Sequence, residues 1–288
     1  MQDAFDHCEA LVRAADKDRF LATLFAPAEH RGALFALYAF NLEIARVREA
    51  VRDPLAGEIR LQWWNDVIGG EGRGEVAAHP VAAALRATMA RYALPVEPFK
   101  ALIAARRFDL YDEPMATLAD LEAYAAGASS NLIALAARIL GGSHDADIGA
   151  IAHHAGVAHA IAGLLKAFAI HSARSQLYVP VEVLGRHGAN RQALTRQALP
   201  SGQGTAELRA ALAEMRLHAR AHLAAARELL ASVPSGVVPA LLPVALAGPT
   251  LARMERRGYD PFVPVEIAPL RRQWLIWRAA RRPAKIFG

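Results

Sequence analysis

The chain has 288 residues, 54% of them hydrophobic and 21% charged, with a formal net charge of +5. This length is enough to bury a sizeable core, and the composition excludes a disordered chain. The mild, mostly arginine-borne charge comes without basic repeats or aromatic platforms and so argues against a nucleic-acid partner.

The single cysteine, Cys8, excludes an intramolecular disulfide and a cysteine-based zinc site, and fits a reducing compartment. MQDAFDHCEA lacks the apolar run of a secretory signal. The longest apolar run, Val237 to Leu246, is interrupted by Pro239 and Pro243 and is too short for a membrane span. A cytoplasmic location is expected.

In chain order, residues 6–25 read as an amphipathic helix with Leu11, Ala15, Leu21 and Leu24 inside, which Asp3 could cap. Pro27 breaks it. A second helix is expected over 28–51, where Phe35, Tyr38, Leu42 and Ala45 share a face at steps of three and four, with Glu49 one turn on. That face lines any central cavity. Pro54 suits the first turn of the next helix. GGEGRGEVAAHP, 69–80, is a loop without the strand and helix that flank a phosphate-cradling glycine loop. Helices are expected over 81–92 and 97–111. Thr-Leu-Ala-Asp at 117–120 reads as a capping pattern opening a helix to about residue 126. Gly127 to Ser130 interrupts it, 131–140 continues it, and Gly141-Gly142 stops it. A long helix is expected from Asp147 to about Ser172. Leu177 to Pro180 is extended, and helices follow over 181–186, 190–199 and 205–232. An apolar core helix is expected over 239–257 and a terminal helix over 270–281. No alternating strand pattern or fixed repeat is present. The expected architecture is all-α, with about ten to twelve helices in one domain over 1–288.

Five segments in order carry a resemblance: YAFNLEIARVRE (38–49), RLQWW (60–64), FDLYDEPMATLADLEAYAAGASSNLIALAARILG (108–141), QLYVPVEVLGRHG (176–188) and GYDPF (258–262). Together they are similar to the squalene/phytoene synthase family over nearly the whole chain. The resemblance implies an isoprenoid-synthase fold around a central cavity. In active members, two aspartate-rich segments on facing helices hold Mg²⁺ and two prenyl diphosphates. Mg²⁺ demands octahedral oxygen ligation bridging carboxylates to phosphate. The family's aspartate positions fall here on Ala45, Arg46 and Glu49 in the first segment and on Ala167 and His171 in the second. Only Glu49 keeps a carboxylate. That pattern resembles a divergent branch of the family that includes a mitochondrial assembly factor for respiratory complex I.

The same resemblance places Arg174 and Tyr178 at positions that touch diphosphate and Asp109 at an aspartate that active members keep; Tyr38 and Asn41 lie on the motif helix and Lys166 is a further cation nearby in sequence, and all six are candidate diphosphate- or cavity-facing residues. Arg46, Lys166 and Arg174 would neutralise a diphosphate without metal. Each has a plainer reading. Glu43 can pair with Arg46, Glu49 with Arg46 or Arg52, Arg174 can satisfy helix-end carbonyls, and Asp109 can make a structural hydrogen bond. His153, His154, His159 and His171 share one expected helix; His218 and His222 lie four apart, but no third ligand is evident, so no metal site is expected. The tail RRQWLIWRAARRPAK interleaves cations with Trp274 and Trp277, and suits either an anionic membrane surface or a docked terminal helix with a solvated arginine face.

The function expected is a non-catalytic family member in respiratory-complex assembly or a related protein- or lipid-binding role, without cofactor, cytoplasmic or peripheral to the inner membrane. The alternative is a head-to-head prenyltransferase that condenses two prenyl diphosphates with Mg²⁺. A prenyl or lipid carrier using the cavity alone is a third reading.

Overall fold

The computed structural model describes residues 1–72, 76–111, 113–141, 146–190 and 204–288. Among them there is no strand, and sixteen α-helical segments occur in chain order. They are α1 (Gln2–Ala15), α2 (Lys17–Thr23), α3 (Ala28–Ala45), α4 (Val47–Ala50), α5 (Pro54–Gly69), α6 (Pro80–Arg91), α7 (Val96–Phe108), α8 (Leu118–Ala125), α9 (Asn131–Ile139), α10 (Ala146–Lys166), α11 (Phe168–Ala173), α12 (Val181–Arg186), α13 (Ala206–Leu229), α14 (Val238–Leu241), α15 (Ala247–Met254) and α16 (Pro269–Arg281). The helix expected over 190–199 lies outside the described residues.

Several ends follow local chemistry. Asp53 accepts a hydrogen bond from the Leu55 amide and puts Pro54 in the first turn of α5. Thr117 and Asp120 form a reciprocal capping box on α8. Gly141 follows α9 at φ +85, a conformation glycine adopts without a Cβ penalty.

The segments outnumber the expected helices because long stretches are broken. The first helix splits at Asp16, whose carboxylate caps α2 through the Arg19 amide, and Asp3 sits in the first turn of α1 without capping it. The apolar stretch expected as one core helix over 239–257 splits into α14, a 3₁₀ turn at Leu242–Leu246, and α15. Pro239, Pro243 and Pro249 each lack the amide that a continuous helix requires. Between α8 and α9 the chain makes a π turn at Ala126–Ser130. There α10 crosses closely: Ser130 Oγ donates to the His153 carbonyl at 3.0 Å, and a Cβ on Gly156 would overlap the Ser130 backbone. Leu177–Pro180 is non-helical, with a bend at Val179, and the chain there pairs with Met115, which donates to the Leu177 carbonyl and accepts from the Val181 amide.

The core has two apolar clusters. One gathers α1, α3 and α5–α7, with Phe40 against Trp64 and Phe99; the other gathers α8 and α10–α16. Helix α9 serves both, giving Leu132, Leu135, Ala136 and Ile139 to the first and Ile133 to the second. Two helical stretches, Ile148–Lys166 and Ser235–Met254, are long and apolar enough to cross a membrane, and most of each is buried in this core.

Candidate functional site

The two segments that the resemblance marks as a metal clamp come from α3–α4 and α10–α11. On α3, the face carrying Phe35, Tyr38 and Asn41 is buried, and the helix ends at Ala45. Arg46 interrupts it at φ −93, ψ −1, and one further turn, α4, carries Glu49. On the other side α10 ends at Lys166, Ala167 interrupts at φ −88, ψ 6, and α11 carries His171 and is capped by Arg174. Both expected long helices are thus broken at a former aspartate position. Across the gap, Arg174 Nη1 donates to Glu49 Oε1 at 2.8 Å. Glu49 is ion-paired, as the plainer reading held, but its partner is Arg174 of the facing segment, not Arg46 or Arg52. Both side chains are about half exposed, so the pair contributes about 1 kcal/mol or less.

Among the described residues Glu43 and Arg46 form no ion pair. They line an outer groove of about 250 Å³ with Arg60, Trp63, Trp64 and His79.

At the centre, where α2, α3, α9 and α10 meet, the packing is tight. Arg19 from α2, Tyr38 from α3 and His159 from α10, with Leu132, Ile133, Pro243 and Val244, enclose only about 10 Å³, room for about one water. The Arg19 guanidinium lies over the Tyr38 ring, 5.6 Å from its centre. Asp16 accepts from both the backbone and the side chain of Arg19. Burial pushes the Asp16 carboxyl up, but Arg19 outweighs it and holds the group below its ordinary value. Burial first, then Arg19, drives the His159 imidazole down to about 4. Burial pushes the Tyr38 phenol up to about 12. A polar cleft of about 180 Å³ adjoins this centre, lined by Asp16, Asp18, Arg19, His159, Lys166 and Thr250 among others. Lys166 therefore faces Asp16 and Asp18, Arg46 the outer groove, and Arg174 Glu49. The structure does not bring the three cations together.

Asp109 and Tyr178 meet each other. Asp109 Oδ1 accepts from Tyr178 Oη at 2.6 Å and from Tyr124 Oη at 3.0 Å, and Oδ2 accepts from Arg106 Nη1 at 3.2 Å. Burial, then the carboxylate, raises the Tyr178 phenol far above its ordinary range, so both tyrosines donate. The His171 ring packs 4.6 Å from Tyr178, and burial lowers its pKa. This is the structural hydrogen-bonding role of the plainer reading for Asp109. Asn41 is 5% exposed, and its Oδ1 has no hydrogen-bond partner.

These residues do not fit Mg²⁺. Ala45 and Ala167 have no side-chain oxygen, Arg46 is cationic, His171 offers nitrogen, and the one carboxylate, Glu49, is held by Arg174. An ion pair joins the two segments. The family model described as squalene/phytoene synthase matches residues 12–278. The chain belongs to the squalene/phytoene synthase family.

Within that family, it is similar to NADH dehydrogenase (ubiquinone) complex I, assembly factor 6 of Rattus norvegicus, 29% identical over 91% of this chain and 77% of that one. The Homo sapiens protein of the same name is 29% identical over 90% and 76%. A 15-cis-phytoene synthase of Synechococcus elongatus is also 29% identical, but over only 43% of this chain and 40% of its own. Among solved structures, squalene synthase HpnC from Alicyclobacillus acidocaldarius superposes with a TM-score of 0.76 at 25% identity, covering 90% of this chain and 96% of that one. A dehydrosqualene synthase at 20% identity and a TM-score of 0.80, covering 97% and 96%, shares the squalene/phytoene synthase fold.

Sequence reasoning missed the part played by Arg19. The signal was Asp16-Lys17-Asp18-Arg19, a charged run between two apolar helices, where charges need partners if the helices pack. It also missed Glu122, which stands beside His218 and His222.

Proposed function

We propose that this squalene/phytoene synthase family member is non-catalytic and takes part in assembly of the respiratory NADH dehydrogenase complex at the inner-membrane surface. The observation that carries the reading is the lost clamp: Ala45, Arg46, Ala167 and His171 offer no carboxylate, and Glu49 is held by Arg174. Ionising an allylic diphosphate requires charge stabilisation on the departing pyrophosphate, and no carboxylate pair remains to hold metal for it. The similarity to complex I assembly factor 6 over about nine-tenths of the chain supports the assembly role.

The membrane surface is supported by α16. It docks through Leu275, Ile276 and Ala279, which are buried, and turns Leu270, Trp274 and Trp277 outward at 79%, 50% and 49% exposure. Arg278 lies over Trp274 and Arg281 over Trp277. An apolar face edged by cations suits an anionic bilayer. The helix is docked, as one reading of the tail held, and the half-exposed tryptophans support the other.

The test has two arms. Purified protein incubated with farnesyl and geranylgeranyl diphosphate, Mg²⁺ and NADPH is expected to yield no C30 or C40 hydrocarbon. Asp placed together at 45, 46, 49, 167 and 171 is expected to yield none either. Deleting the gene in its native host is expected to lower the amount of assembled NADH dehydrogenase complex. Hydrocarbon formed at ordinary enzyme rates and lost in Arg174→Ala, or unchanged complex levels after deletion, would overturn the proposal.

A further inference from the structure

Helices α8, α10 and α13 meet at a cluster of one carboxylate and four imidazoles. His218 and His222 lie four apart on α13 and so share a face. Glu122, on α8, points between them: its Oε1 is 2.6 Å from His218 Nε2 and 3.8 Å from His222 Nε2. On the other side of His222, Nδ1 lies 3.0 Å from His154 Nδ1, and the His153 ring flanks both. The Glu122, His218 and His222 ligand atoms all lie within 4.8 Å of one another. Tetrahedral zinc with bonds of about 2.0–2.1 Å spaces its ligand atoms about 3.3 Å apart.

The Glu122–His218 contact is short, and the hydrogen bonding within the cluster is incomplete. His218 Nε2 is buried and has no hydrogen-bond partner, although the Glu122 oxygen is 2.6 Å away; the contact is short but off the line of an N–H donor. The short His154–His222 contact needs one proton between the two Nδ1 atoms. Placed on His222 Nδ1, that proton leaves the His222 Nε2 lone pair facing Glu122 and His218.

We propose that Glu122 Oε1, His218 Nε2 and His222 Nε2 bind one zinc ion, with His154 as the outer hydrogen-bond partner that fixes the His222 ring. Two imidazoles and one carboxylate form a familiar zinc donor set, with the fourth position left for water or a ligand. The Glu122 side chain is about one-third exposed, so that position opens toward solvent. The site is separate from the former clamp: His154 and Ala167 are about 20 Å apart along α10 at 1.5 Å per residue. It needs no residue of the degenerate motifs.

The test uses the full chain after chelator treatment. Titration calorimetry is expected to show one equivalent of Zn²⁺ bound at micromolar affinity or tighter. Co²⁺ in its place is expected to give the strong visible absorption of a four-coordinate ion. Glu122→Gln and His218→Ala, both at partly exposed side chains, are each expected to weaken Zn²⁺ at least tenfold. His154→Phe is expected to weaken it about tenfold, as an outer partner does. Unchanged Zn²⁺ affinity in the Glu122→Gln/His218→Ala double variant would overturn the site. So would a weak, six-coordinate Co²⁺ spectrum in the unsubstituted protein, a readout that needs no variant to fold.

Discussion

Replacing Asp109 by alanine tests whether the polar network beneath the former clamp is structural. Asp109 is 8% exposed and accepts from Arg106, Tyr124 and Tyr178 at once. Removing it leaves the Arg106 guanidinium, a side chain only 17% exposed, without its counter-charge. Breaking one side of a buried pair costs about 3–5 kcal/mol. The two phenols also lose their acceptor, at about 1–3 kcal/mol each when a group is stranded, although these losses overlap. A net loss of about 4 kcal/mol is expected. With an unfolding entropy of about 2.1 cal/mol/K per residue, the whole chain has about 0.6 kcal/mol/K, so Tm falls by about 7 °C. Urea unfolding followed by circular dichroism, with m compared between variants, gives the free energy. Arg106→Met/Asp109→Ala removes both charges and is expected to regain at least half the loss. A cost under about 1 kcal/mol for Asp109→Ala, or a double variant no more stable than Asp109→Ala alone, would refute the reasoning.

Three further outcomes follow from contacts described above. Gly156→Ala puts a methyl into the Ser130 backbone at the π turn and is expected to destabilise by about 1–3 kcal/mol, measured in the same urea assay. Arg174→Ala breaks only the half-exposed bridge to Glu49 and is expected to change Tm by no more than about 2 °C. His159, held at about 4 against an ordinary 6.5, binds fewer protons folded than unfolded. Its stabilising effect is therefore complete above pH 6.5 and lost as pH falls from 6.5 to 4, by at most about 3 kcal/mol. In a pH series of urea midpoints, His159→Gln is expected to flatten that slope.

What the sequence made legible was local or repeated. Thr117 with Asp120, Pro54 after Asp53, and Gly141 after α9 each act within one helical turn, so their spacing alone reveals them. The all-α class followed from periodicity summed over many helices. The breaks at Asp16, Arg46 and Ala167 were not legible, because no proline or glycine marks them. The interruptions of the stretch over 239–257 are visible in the sequence as Pro239, Pro243 and Pro249, each of which lacks the amide a continuous helix needs. At the site, the loss of carboxylates from Ala45, Ala167 and His171 could be read directly. Which side chains meet could not: Glu49 with Arg174, and Glu122 beside His218, are contacts across the bundle, which one-dimensional spacing does not encode.

Helix α9 is a shared wall: Leu132, Leu135, Ala136 and Ile139 belong to one apolar cluster and Ile133 to the other. Neither half of the bundle can open far without wetting a helix that the other half still needs. Amide protons on α9 should therefore be the slowest in the molecule to exchange with solvent, released only by global unfolding, while α16 and α1, each packed on one side, exchange through smaller openings. Such a coupling makes the chain melt as one cooperative unit from either end, so damage to the former clamp region reaches the tryptophan-bearing surface through loss of population rather than through a change of shape.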